Sequence, residues 1–329
     1  MSLSRSQDDF VAARRRDWQE LDRLLGAGDA LHAQGGPVIS RVAALYRALS
    51  ADLMRCRAAR FTPDLAAHLD GLAARAHGAL YGAEPFRLPG IIAFFIRDFP
   101  RALRANHRAF AVAAALFFLP FAIGVLTALA SEEAAARILP APVLEGMARG
   151  YAKGFAEGRD AGTDAGMAGF YVYNNIGIAF RCFATGILFG AGSIFFLVYN
   201  GLVTGVVAGF VTAAGHGAHI WTFMCGHAPF ELGAIVIAGG AGIQMGYALV
   251  ETRGLTRVGS LRRAAPEIAR QVLGAAAMLF IAALIEGFWS PSSIPSPVKW
   301  AASAISTVLL VLYLALAGRD RHARREASA

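Results

Sequence analysis

From Tyr171 to Ala213 the chain carries a single charged side chain, Arg181. A helix that crosses hydrocarbon needs about 20 mostly apolar residues, so a run of this length suffices for two crossings. Apolar stretches of similar character cover residues 109–130, 226–250, 270–289 and 299–317. The sequence therefore predicts an all-α fold, an integral membrane helical bundle. Its six spans lie near 109–130, 171–198, 201–214, 226–250, 270–289 and 299–317. Asn200-Gly201 is the expected hinge between the second and third, because Asn-Gly favours a turn. Composition agrees: 56% of residues are apolar and 16% charged, against about 25% charged in an ordinary soluble domain.

The rest of the chain divides around these spans. Residues 1–85 read as a cytoplasmic helical region. Val42, Leu45, Tyr46, Leu49 and Leu53 recur at helical spacing, and Leu65, Leu69, Leu72 and Leu80 form a second stripe. Thr62-Pro63 reads as a helix start, since proline is favoured in the first turn. Three or four helices forming a small bundle are expected. Residues 86–108, FRLPGIIAFFIRDFPRALRANHR, mix aromatics with arginines and read as an interfacial amphipathic elbow, with rings at the acyl edge and guanidiniums on phosphates. Residues 109–318 form the transmembrane domain, residues 131–170 an outer segment within it, and residues 319–329 a basic tail.

Charge placement sets the orientation. The chain has 29 arginines and only two lysines, Lys153 and Lys299, within a net charge of +8. Sixteen arginines precede residue 109, five lie in 251–270 and four in the tail, whereas 131–170 holds six acids against four bases. With six spans the arginine-rich segments share one side, so both termini are expected in the cytoplasm. No secretory leader is legible in the first hundred residues, which fits an N-terminus that stays where it is made.

The outer segment contains GMARGYAKGFAEGRDAGTDAG, in which Gly146, Gly150, Gly154, Gly158, Gly162 and Gly166 repeat every four residues. On a helix this spacing makes a slowly drifting ridge that lets another backbone approach closely. Each glycine costs about 1 kcal/mol against alanine, so such a helix needs a packing partner to persist. A flexible repeat-derived loop explains the same spacing. Gly186 and Gly190, and Gly201, Gly205 and Gly209, lie within the spans and read as close-packing positions.

Ionisable and amide side chains within spans are site candidates by default. Asn174, Asn175, Arg181, His227, Glu231 and Glu286 all fall in the same outer half of the membrane under this topology. His227 and Glu231 are four apart and share a helix face. A histidine and a carboxylate so placed, with Glu286 as a third ligand, could hold a metal, or could relay protons. The structural alternative has Arg181 neutralising a glutamate, and Pro229 starting a helix with Glu231 in its favourable first turn. His216 and His219 fit an outer surface turn. No metal or other cofactor is expected; His227, Glu231 and Glu286 are the weak metal candidates. Cys56, Cys182 and Cys225 lack metal-type spacing, and no phosphate-binding loop, hydrolase elbow or nucleic-acid pattern is present.

FVAARRRDWQELDRLL, LYRALSADL, RAHGALY, YNNIGIAF, FLVYNGLVTG, GHAPFELGAIVIAGGAG and LIEGFWSP, in that order, resemble the stage II sporulation protein M family over nearly the whole chain. The family's His-Gly-x-x-Glu motif corresponds to His227-Ala228-Pro229-Phe230-Glu231, without the glycine. Its asparagine pair matches Asn174 and Asn175, and its fifth-span acid matches Glu286. Gly177 stands where a basic residue is expected, with Arg181 four positions on. The resemblance implies a polytopic inner-membrane protein working in a complex with peptidoglycan-remodelling partners. Sporulation itself does not follow, and the glycine ladder is not a feature of the resemblance.

Three functions are consistent with these readings. The first is a non-enzymatic membrane scaffold in a cell-envelope complex. The second is a transporter or channel using the outer polar cluster, and the third an intramembrane metal-dependent hydrolase. The expected partners are the lipid bilayer, a second copy of the chain in a dimer, and envelope-complex membrane proteins, with no nucleic acid.

Overall fold

The computed structural model describes residues 3–26, 35–81, 88–154 and 161–319, and every regular element among them is a helix. The chain separates into two compact units, Met1–Arg87 and Leu88–Ala329.

The first unit is a three-helix bundle of α1 (Leu3–Leu25), α2 (Gly36–Ala58) and α3 (Pro63–Tyr81). Pro63 opens α3, where a missing N–H costs nothing. Val42, Leu45 and Leu49 from α2 meet Leu69, Leu72 and Ala76 from α3 and Trp18 and Leu21 from α1 in one core. Among its described residues the buried charge is Asp52, which accepts hydrogen bonds from Arg14 Nε at 2.8 Å and Trp18 Nε1 at 2.9 Å. The pairing holds the Arg14 guanidinium above its ordinary pKa, chiefly through the hydrogen bond to Asp52.

The second unit begins with α4 (Leu88–Ala93), a π turn (Phe94–Asp98) and α5 (Phe99–Ala105), and continues through α6 (His107–Ala130), α7 (Glu132–Ala136) and α8 (Ala141–Ala152). It resumes with α9 (Ala161–Ala184), a 3-10 turn (Thr185–Ile187), α10 (Ala191–Val211), a π turn (Thr212–His216) and α11 (Gly217–Cys225). It closes with α12 (Ala228–Val250), α13 (Arg257–Leu284), a π turn (Ile285–Trp289) and α14 (Ser296–Leu316).

Among the described residues, five helical stretches are long and apolar enough to cross a membrane: His107–Ala130, Ala191–Cys225, Ala228–Val250, Arg257–Trp289 and Ser296–Leu316. The expected sixth falls on α9, which has the length at 24 residues. Asn174, Asn175 and Arg181 dilute its apolar character. It nonetheless packs against α10, α12 and α13.

The expected hinge at Asn200-Gly201 is wrong. α10 runs unbroken through it. Asn200 donates its amide to Phe196 O at 2.7 Å, one turn back, and so satisfies itself inside the helix. Gly201 serves packing. An added Cβ at Gly201, Gly205 or Gly209 would lie 2.2, 2.1 or 2.5 Å from the carbonyl oxygen of Phe117, Phe121 or Val125. That series rises together in both helices, so α6 and α10 are parallel neighbours. The break lies instead at Thr185–Gly190, where Phe189 has φ 55 and Gly190 φ 87, the left-handed conformation glycine adopts freely. Gly186 and Gly190 back onto Gly242 and Gly246 of α12, and a Cβ at Gly186 would sit 2.2 Å from Gly242 O.

The glycine ladder is not one helix. Gly146 and Gly150 lie in α8, which stops at Ala152, and Gly154 turns the chain with φ 65. Gly158 lies outside the described residues. Gly162 and Gly166 belong to α9. Among the described residues, a Cβ at Gly146, Gly150 or Gly166 would meet nothing within 4 Å, so none of the three makes a close contact there.

The elbow is helical, but its arginines differ from expectation. Arg101 Nε donates to Gly318 O at 2.5 Å, and Arg104 donates to Leu314 O and Ala317 O at 2.7 and 2.6 Å. They are spent on the orphan carbonyls at the end of α14, where cations also suit the helix dipole. His216 and His219 sit beside a break in the chain: Gly215, φ 89, interrupts the helix, His216 flanks the start of α11 and His219 lies in its first turn.

Candidate functional site

Each turn of the second unit that follows an apolar helix places side chains at one of two ends. Asn106, Gln244, Glu251, Arg253 and Arg263 line one cleft, and Arg257 stacks on Phe189 at 5.4 Å, so the arginines of 251–270 sit at one end beside the junction of α5 and α6. The opposite end gathers α8, α11 and the segment joining α13 to α14. Just inside that opposite end lies the polar cluster.

α12 starts at Ala228 with Pro229 in its first turn. His227 is therefore the residue flanking the helix and Glu231 belongs to the first turn; Glu231 N donates to His227 O at 2.9 Å. The i, i+4 relation brings His227 Nε2 to 3.8 Å from Glu231 Oε2. The second acid arrives from α13 through its terminal π turn, which inserts one residue per turn and re-aims the side chains that follow. There Ser290 N donates to Ile285 O at 2.8 Å, and Glu286 points inward, 8% exposed. One ligand atom from each of His227, Glu231 and Glu286 lies within 4.8 Å of the other two.

Neighbouring residues fix this trio. Asn175 of α9 donates to Glu286 Oε2 at 3.3 Å, and Asn174 donates to Asn175 Oδ1 at 3.0 Å. α9 can approach because Gly287 presents no side chain; a Cβ there would fall 2.5 Å from that of Ala168. His227 Nδ1 lies 3.0 Å from Ser290 Oγ, and the ring meets Phe223 edge-on at a centroid distance of 5.3 Å. His227 and Asn175 are 4% and 3% exposed.

Of the six expected cluster residues, five are thus in one network. Arg181 is the exception. It is exposed on α9, and no ion pair joins it to Glu231 or Glu286 among the described residues. Its guanidinium runs back along the helix and lies 3.6 Å from where a Cβ on Gly177 would be. Arg181 therefore covers the position at which the family resemblance leads one to expect a basic side chain. His216 and His219 stack on each other at 6.3 Å, and His219 Nδ1 donates to Tyr151 O at 2.7 Å, so neither joins His227.

Two participants escaped the sequence reading. Lys299 is 3% exposed, and its Nζ donates to the carbonyls of Ser290 and Ser292 at 2.7 Å each. It caps the chain segment that bears Ser290. Ser290 itself gave no signal, because a lone serine after a span is unremarkable in sequence. Both border a polar cleft of about 250 Å³, lined also by Lys153 and His219, so both lysines of the chain face the same hollow. Two larger clefts of about 420 Å³ are lined mainly by apolar side chains, among them Phe118, Trp221 and Trp300 in one and Phe95, Phe230 and Leu309 in the other. None of these three, nor the arginine-end cleft, is lined by Asn174, Asn175, His227, Glu231 or Glu286.

A comparison with known protein families gives two matches. The model described as stage II sporulation protein M matches residues 113–291, a stretch that contains the whole cluster. A domain of unknown function matches residues 8–82, the three-helix unit. No curated protein matches the chain, and no solved structure does.

Proposed function

The chain belongs to the stage II sporulation protein M family, and on that premise we propose that it acts as a non-enzymatic membrane scaffold in a cell-envelope complex. The observation that carries this reading is where the polar side chains are spent. Asn174, Asn175 and Glu286 tie α9 to the π turn after α13, and His227, Ser290 and Lys299 tie the start of α12 to the start of α14. Polar bonds between helices fix one arrangement of a bundle whose apolar surfaces alone discriminate weakly among alternatives. A transporter instead needs its polar residues on a route, and Asn174, Asn175, His227, Glu231 and Glu286 border none of the four clefts described above; only Ser290 and Lys299 reach one.

The test is quantitative co-purification of the tagged full chain from its native membranes in mild detergent. A discrete set of envelope proteins, recovered with the wild type and lost with His227→Ala and Glu231→Gln, is the expected result. A chain recovered alone at normal abundance, and solute flux in proteoliposomes that either substitution abolishes, would replace the scaffold with the transporter reading.

A further inference from the structure

We infer that His227, Glu231 and Glu286 bind one divalent transition-metal ion of the zinc class. The inference is independent of the scaffold reading and rests on the convergence of three donors from two separate helical segments.

The donor set is one imidazole nitrogen and two carboxylate oxygens, with mutual distances inside 4.8 Å. Ligands held about 2.0–2.2 Å from a zinc-like ion lie roughly 3.3–3.6 Å apart in tetrahedral geometry. The observed 3.8 Å between His227 Nε2 and Glu231 Oε2 is longer than a hydrogen bond and close to that separation. Small side-chain rotations close the rest.

The imidazole is oriented for ligation. Its Nδ1 is occupied by Ser290 Oγ at 3.0 Å. With Nδ1–H donating to that hydroxyl, Nε2 carries the lone pair and faces Glu231. A ligating histidine whose second nitrogen is held this way has its tautomer and ring plane fixed. Asn175, bonded to Glu286 Oε2 at 3.3 Å, orients the carboxylate from the far side. Ser290 is in turn anchored by Lys299 through its carbonyl.

The chemistry of the set selects among cations. Calcium and magnesium favour all-oxygen shells, and magnesium keeps several waters. One nitrogen and two carboxylates suit zinc, cobalt or manganese. Three protein ligands leave one position of a tetrahedron for water or for a partner's group. The half-buried pair His216 and His219 is excluded, since His219 Nδ1 is committed to Tyr151 O and the Phe223 ring packs against His227.

The experiment uses the full chain in detergent, stripped with a chelator and reloaded with Zn²⁺ or Co²⁺ alone. Native mass spectrometry should find one zinc per chain, with occupancy at least tenfold lower in His227→Ala and in Glu286→Gln. His227→Cys, which supplies a thiolate, should retain the ion, and His219→Ala should bind as the wild type does. In the wild type, Co²⁺ should give the visible absorption of a four-coordinate site, a readout that needs no variant to fold. A folded wild type that takes up no zinc overturns the inference. So does equal uptake by His227→Ala and Glu286→Gln, which marks surface binding. Loss of zinc uptake with envelope co-purification intact would sink the metal and leave the scaffold standing.

Discussion

Asn175 of α9 donates to Glu286 of the π turn at 3.3 Å, across 111 positions of sequence. This bond is a direct polar tie between α9 and the acid that completes the cluster. Asn175→Leu should lower the melting temperature of the detergent-solubilised chain, at a cost of about 1–3 kcal/mol for a buried hydrogen bond lost. Asn174→Ala should cost less, because Asn174 is only half-buried and reaches the acid through Asn175. Equal melting of all three proteins would show that the tie contributes nothing.

The glycines separate into two groups that should respond oppositely to one added methyl. Gly205→Ala places a Cβ about 2.1 Å from Phe121 O and must force α6 and α10 apart. A loss of about 1–3 kcal/mol or more is expected from overpacking. Gly150→Ala meets nothing within 4 Å in the interior of α8 and should gain up to about 1 kcal/mol of helix propensity. Thermal melts of the two variants in one detergent give the comparison.

The open faces at Gly146 and Gly150 also test self-association. A dimer that packs through this ridge should be converted to monomer by Gly146→Leu with Gly150→Leu, read by native mass spectrometry. An unchanged subunit count would remove the ridge as an interface.

Asp52 in the first unit accepts from both Arg14 and Trp18 while 3% exposed. Asp52→Ala leaves the Trp18 indole N–H and a part-buried guanidinium without this acceptor. We expect a loss of about 2–3 kcal/mol, seen as faster amide exchange confined to α1, α2 and α3 of the full chain. Exchange that rises equally in the second unit would show that the two units do not unfold separately.

Orientation is open to chemical labelling, because Cys56, Cys182 and Cys225 are all buried and give little background. Ser293→Cys, at the end away from the arginine-rich segments, should react with an impermeant maleimide in intact cells. Arg262→Cys should react only after permeabilisation. The reverse pattern would invert the orientation drawn from arginine placement.

The helical class and most span positions were legible because hydrocarbon demands long apolar runs whatever their tertiary contacts. The three-helix unit was legible from the Val42, Leu45 and Leu49 stripe. The hinge was misread because Asn200-Gly201 signals a turn only where nothing packs on it; here Phe117 does, and Asn200 finds an acceptor one turn back. The polar cluster was visible as residues at one depth, and His227 and Glu231 as one face. The absence of Arg181 from the cluster was not visible, since a side chain long enough to reach a carboxylate is also long enough to fold back over Gly177. Ser290 and Lys299 enter through the path of the chain between α13 and α14, which no local pattern encodes.

The arginine clasp on α14 has a consequence for biogenesis. Arg101 and Gly318 are 217 positions apart, and Arg104 and Leu314 are 210. The guanidiniums of α5 therefore leave the ribosome long before their carbonyl acceptors on α14. Throughout insertion of the intervening helices those two charges are solvated by water, lipid headgroups or another protein. The arrival of α14 is the event that lets the clasp replace that solvation.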